Sequence, residues 1–125
     1  MGTGTGIGRV RGLGSAKSGA HHWWLQRVTA AGNLLLVTWF VISLFRLPNY
    51  DYGTVVLWLK SPLVAVPLIL MAANVFWHLR IGLQVVIEDY VHGRWRLICL
   101  LGNVFFTVAL GVAALYAILS LSFGA

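Results

Sequence analysis

The chain has 125 residues, 59% of them hydrophobic and 10% charged, and a net charge of +6. So few charged side chains cannot cover the surface of a soluble domain of this size, which excludes an ordinary soluble globular protein. The nine Lys and Arg form no dense patch with interleaved aromatics, which excludes nucleic acid as a partner; the single Cys99 excludes an internal disulfide and a cysteine-held cluster.

Residues 1–20 are rich in Gly, Ser and basic side chains and lack an apolar core followed by a small-residue cleavage pattern, so they are not a secretory signal. They read as a flexible cytoplasmic arm, available to order against a partner. The glycines of GTGTGIG meet no dinucleotide-loop spacing and no strand precedes them. Three stretches without a charged residue follow, at 28–45, 61–77 and 97–125. At 1.5 Å per residue each continues a helix long enough to cross about 30 Å of hydrocarbon. None shows the alternation of a barrel strand.

The first helix is predicted over about 23–45. LPNYDYG at 47–53 is a turn-rich outer loop. Ser61-Pro62 then offers a capping hydroxyl followed by proline at the first helical position. The second helix runs over about 61–91, with a mild kink expected at Pro67 and a stop at His92-Gly93. The third covers about 95–121, with Cys99 as a small packing residue. The fold class is therefore an all-α integral membrane protein with three transmembrane helices, forming one domain over 1–125.

Arg9, Arg11, Lys17 and Arg27 precede the first helix and Arg94 and Arg96 the third, whereas only Arg46 and Lys60 flank the loop between helices one and two. The positive-inside rule puts the N-terminus and second loop in the cytoplasm, and the first loop and C-terminus outside. Trp23, Trp24, Trp58 and Trp95 stand near predicted helix ends, as interfacial anchors.

The second helix ends in HLRIGLQVVIEDYVH at 78–92, an unusual polar content for lipid. His78 and Asp89 are eleven residues apart, close to three whole turns, so they project from nearly one face, about 16 Å apart along the axis. Asn74, one turn from His78, shares that face; Arg80 points roughly the other way. With Asp89 at the water boundary, His78 lies near mid-bilayer. An intramembrane histidine is an interhelical hydrogen-bonder, a proton relay or a metal ligand, and spacing alone leaves all three open. A haem ligand requires a neutral imidazole oriented through its other nitrogen, a bond that Asn74 is placed to supply. One mid-membrane histidine supplies one axial position, so a six-coordinate haem would need a partner subunit.

His21, His22 and Arg27 cluster where the first helix emerges, and fit either haem propionates or plain topology signalling with snorkelling. Arg80 is expected to snorkel to the same interface, because charge in the hydrocarbon costs about 2.5–3.5 kcal/mol on insertion scales. Glu88 and Asp89 oppose the helix dipole at a C-terminus, which points to basic partners or a function. Tyr90 offers a phenolic hydroxyl suited to a quinone carbonyl, and Asp89 a route for protons. Asn33 and Asn103 are assigned interhelical hydrogen bonds only.

The ordered set of His21-His22, Arg27-Val-Thr-Ala, His78-x3-Gly82 and Asp89-Tyr90-Val91 resembles the D-type hydrophobic membrane anchor of succinate dehydrogenase, respiratory complex II, over about residues 12–97. The resemblance implies that His78 is one axial ligand of a b-type haem, with a C-type cytochrome b anchor subunit supplying the other. It implies that Tyr90 hydrogen-bonds ubiquinone, that Asp89 belongs to the quinone site, and that Arg27 and His21 neighbour the propionates. FAD and the iron–sulfur clusters would reside in a flavoprotein and an iron–sulfur partner, and this chain alone would catalyse nothing. GLGSAKSGAHHWW at 12–24 is similar to bacterial members, implying a bacterial cytoplasmic membrane ahead of a mitochondrial inner membrane. Arg80 matches no family motif. The competing readings are a small cytochrome b anchor of a fumarate reductase or other membrane dehydrogenase, and a cofactor-free three-span scaffold.

Overall fold

The computed structural model describes residues 5–10, 12 and 19–124. Of the basic arm residues invoked for topology, Arg11 and Lys17 lie outside the described residues, as does most of the expected flexible arm. The described part is helical throughout, in the order α1 (Gly6–Val10), α2 (Gly19–Phe45), α3 (Tyr52–Lys60), α4 (Pro62–Tyr90) and α5 (Arg94–Phe123). Three of these, α2, α4 and α5, are long and apolar enough to cross a membrane. The chain is a multi-pass membrane protein.

Helix α2 starts at Gly19 rather than Trp23, one turn earlier than hydropathy suggests, so His21 and His22 sit on a helix and not in an arm. The connection that follows is shorter than its sequence implies. Tyr52 and Gly53 already belong to α3, leaving a tight turn in which Asn49 Oδ1 accepts from the Asp51 amide at 3.2 Å. The Tyr50 hydroxyl folds back to donate to the Leu44 carbonyl at 3.0 Å, satisfying a helix-end acceptor that α2 leaves free. At nine residues α3 is far too short to span; it packs on α4 and α5 instead. Trp58 is carried inward by it, half-buried with its ring centroid 6.2 Å from that of Phe40, and so is not the interfacial anchor its position suggested. Trp23, Trp24 and Trp95 do remain exposed.

Ser61 stands at the start of α4, with Pro62 next, but its hydroxyl makes no capping bond. Its backbone carbonyl closes the first turn instead, accepting from Val64 and Ala65 at 3.0 and 2.8 Å. Helix α4 continues through Pro67 to Tyr90, and Gly93, at φ +69°, makes the reversal into α5.

Helix α4 is the centre of the array: it packs against α2 on one side and α5 on the other, and those two do not pack on each other. The packing inverts that of a soluble protein. Leu34, Leu35, Phe105 and Phe106 point outward, while Thr29, Asn103, Thr107 and Ser122 are among the few buried side chains. In lipid, apolar surface gains little from leaving the acyl chains, and helices associate through close packing and interhelical hydrogen bonds. Small and polar residues therefore share the contacts with Leu59, Leu68 and Ile81.

Candidate functional site: a polar seam around His78

Residues of α2 and α4 meet in a ladder of hydrogen bonds. The Asn74 amide donates both its protons, to the Thr29 carbonyl at 2.7 Å and to Asn33 Oδ1 at 2.6 Å. One turn along α4, His78 Nδ1 lies 2.9 Å from Thr29 Oγ1. The repeat works because Asn74 and His78 are four residues apart on α4, and Thr29 and Asn33 four apart on α2, so each pair occupies one face. Gly32 lets the helices approach: a Cβ there would stand 2.9 Å from the Asn74 amide nitrogen.

The seam assigns a donor role to one ring nitrogen of His78. The Thr29 hydroxyl has one proton, and its oxygen lies 2.7 Å from the Leu25 carbonyl and 3.1 Å from that of Gln26, contacts that only a donated hydrogen makes favourable. With that proton committed, Thr29 Oγ1 meets His78 as an acceptor, so Nδ1 carries a hydrogen, and in the neutral ring Nε2 then keeps its lone pair. Among the described residues Nε2 has no hydrogen-bond partner, and it is not among the polar atoms sealed from the surface. A neutral, oriented imidazole with an accessible basic nitrogen is the donor that a haem iron takes axially. Among the described residues no group of three or more His, Cys, Asp or Glu could hold a metal ion. Of the described residues, His78 presents an imidazole whose chemistry fits one axial position of a haem.

Asn74, expected to orient the ring directly, does not; Thr29 makes that bond and Asn74 braces the Thr29 backbone. Thr29 escaped sequence reasoning because a hydroxyl inside an apolar helix is by default bonded to its own preceding turn, and only the helix–helix register reveals its second partner. Asn33 and Asn103 do make interhelical bonds, Asn103 Nδ2 donating to the Arg80 carbonyl at 3.0 Å.

Asp89 and Tyr90 form the exposed last turn of α4, about 16–18 Å along the axis from His78. Glu88 accepts from Gln84 at 3.0 Å, a contact along the helix rather than with a basic partner. Of the N-terminal cluster, His21 and Arg27 are exposed, with the Arg27 guanidinium 5.2 Å from the Trp23 ring centroid, and His22 Nε2 is buried without a partner. Two cavities lie elsewhere. One of 410 Å³, lined by wholly apolar surface including Phe40, Trp58 and Leu68, sits beside α3. The other, of 220 Å³, follows the α4–α5 groove past Arg80 and Thr107. Neither is lined by Asp89 or Tyr90.

Arg80 does not snorkel toward the Asp89 end. Its guanidinium turns back over Trp77, 5.1 Å from the ring centroid, following the N-terminal tilt of helical side chains. A cation–π contact is worth about 0.5–2 kcal/mol, less than the 2.5–3.5 kcal/mol cost of a charge at mid-span.

Three apolar spans, α2, α4 and α5, with a polar seam around His78 between the first two, define a multi-pass membrane protein. The chain belongs to the succinate dehydrogenase/fumarate reductase transmembrane subunit family, which it matches over residues 1–119. It is 39% identical over 85 residues to the succinate dehydrogenase hydrophobic membrane anchor subunit of Rickettsia bellii, covering 68% of each chain. The corresponding subunit of Rickettsia conorii is 40% identical over 86 residues, again 68% of each chain. That of Paracoccus denitrificans is 29% identical over 116 residues, 93% of this chain and 90% of the relative. No solved structure matches the chain. As a member of this family the chain is a subunit of an enzyme complex.

Proposed function

We propose that the chain is the D-type membrane anchor of a bacterial succinate:ubiquinone oxidoreductase, acting as one transmembrane unit in the cytoplasmic membrane. His78 supplies one axial ligand of a haem b, and a C-type cytochrome b anchor subunit supplies the other. Tyr90 donates its hydroxyl hydrogen to a ubiquinone carbonyl, and Asp89 passes protons inward from the cytoplasmic boundary. Arg27 and His21 sit close enough to that boundary to neutralise haem propionates. A flavoprotein and an iron–sulfur subunit carry FAD and the clusters, and dock on the cytoplasmic face.

The observation that carries this reading is the Thr29–His78 contact, which engages Nδ1 and leaves Nε2 accessible. Helix geometry adds the quinone end: His78 and Asp89 share a face, and Tyr90 follows within the same turn. When bound, the haem holds and returns single electrons beside the quinone site. The protein's part is to hold the imidazole neutral and in one orientation, with Thr29 accepting from Nδ1 and Asn74 bracing the Thr29 backbone. Tyr90 orients the quinone, and its site is completed by partner chains. The relatives above are all named for succinate dehydrogenase, which favours succinate oxidation over fumarate reduction as the working direction.

Optical spectra of the purified complex test the haem assignment: His78→Ala should remove the low-spin b-haem signal, and an unchanged spectrum would reject that role. For the quinone assignment, Tyr90→Phe should lower ubiquinone reduction about five-fold or more, the scale of one lost hydrogen bond. Succinate oxidation by an artificial acceptor should persist; if both fall together, the lesion lies in assembly.

A further inference from the structure

Helix α4 carries a charge that nothing among the described residues neutralises. It is 29 residues long, about 44 Å, and its midpoint falls at Phe76. Arg80 lies one turn past that point, and its guanidinium folds back over Trp77, returning it to the middle of the span. The side chain is half-buried and makes neither a hydrogen bond nor an ion pair among the described residues. The whole chain has three acidic side chains, Asp51, Glu88 and Asp89. Asp51 precedes α3 at the opposite end of the array, Glu88 is bonded to Gln84, and Asp89 is exposed at the end of α4. The guanidinium points away from the last two.

Arg80 opens into the groove between α4 and α5, lined also by Trp77, Val108 and Val112. An unpaired charge at that depth calls for an anionic partner. Depth restricts the anion. Lipid phosphates stay at the bilayer surface, more than 10 Å from a group at the centre of about 30 Å of hydrocarbon. Direction restricts it further: Arg80 projects about 200° around α4 from His78, so a group ligated by His78 occupies a different face. What remains is an acidic side chain delivered by protein.

We propose that the α4–α5 groove docks a transmembrane helix of a partner subunit, whose Asp or Glu carboxylate pairs with Arg80 at mid-membrane. The pair fixes the depth and rotation of the two helices, as a buried polar group sets register in a coiled coil. The inference rests on the reading of this chain as one subunit of a membrane complex.

The assembled complex carrying Arg80→Lys, treated with dicyclohexylcarbodiimide, tests it. The apolar reagent activates a membrane-buried carboxyl, the new amine attacks the activated carbon, an amide forms, and the reagent leaves as its urea. Mass spectrometry should find the α4 peptide joined to an acidic peptide of another subunit. A link to Glu88 or Asp89, a haem-bearing adduct, or no link in an intact complex would overturn the proposal. A second variant leaves Arg80 in place: Val108→p-benzoylphenylalanine, irradiated in the full complex, should label a partner helix, whereas adducts with lipid alone would overturn it. If the dehydrogenase subunits co-purify and both arms fail, the docking inference falls while the anchor reading stands. If no such subunits co-purify, it is the anchor reading that falls.

Discussion

The Thr29 hydroxyl decides what His78 can do. With a hydrogen-bond donor facing Nδ1, the same imidazole in the same helix would present an N–H outward and would have to lose that proton to ligate a metal. Thr29→Val removes the acceptor, a loss of about 1 kcal/mol for one hydrogen bond, or about five-fold in haem retention by the purified complex. Thr29→Ser keeps the hydroxyl and should restore the parent spectrum, which a purely steric role for Thr29 would not predict. Sequence spacing alone brought His78, Asp89 and Asn74 onto one face, because a helix repeats every 3.6 residues and eleven is nearly three turns. It did not reveal Thr29, since periodicity along one helix carries no information about its neighbour's register. Arg80 illustrates the same limit: its depth was legible, but its direction was set by Trp77 one turn behind.

At the level of helices, the α2–α4 pairing depends on the absence of a side chain at Gly32. Gly32→Val should push the Asn74 amide off the Thr29 carbonyl and lower stability by about 1–3 kcal/mol, as overpacking does. Gly102→Ala is the control: a Cβ there meets nothing within 4 Å, and alanine gains up to about 1 kcal/mol of helix propensity. Loss of helical signal on heating the detergent-solubilised protein separates the two. The long helices were legible because an uncharged stretch of sufficient length has few alternatives in lipid. Helix α3 was not, for YGTVVLWLK is too short to span and lies between a turn signal and Ser61-Pro62. Only its packing on α4 and α5 accounts for it.

Across the whole molecule, an odd number of spans puts the two ends of the chain on opposite sides of the membrane. The excess of cations at the N-terminal ends of α2 and α5 predicts that an alkaline phosphatase fused after α5 is active in the periplasm, while the same enzyme fused before α2 is inactive. The reverse pattern would invert the topology and move Tyr90 to the outer face, away from cytoplasmic protons.

Helices α2 and α5 flank α4 without touching, so this chain is an open arc rather than a closed bundle. A copy made without its companions would leave the inner rim of that arc against solvent lipid, and its lifetime would be set by how soon it is captured. Supply of the other polypeptides, more than the intrinsic strength of this one, would then control how much of it accumulates, so that gene dosage of the companions should govern its abundance.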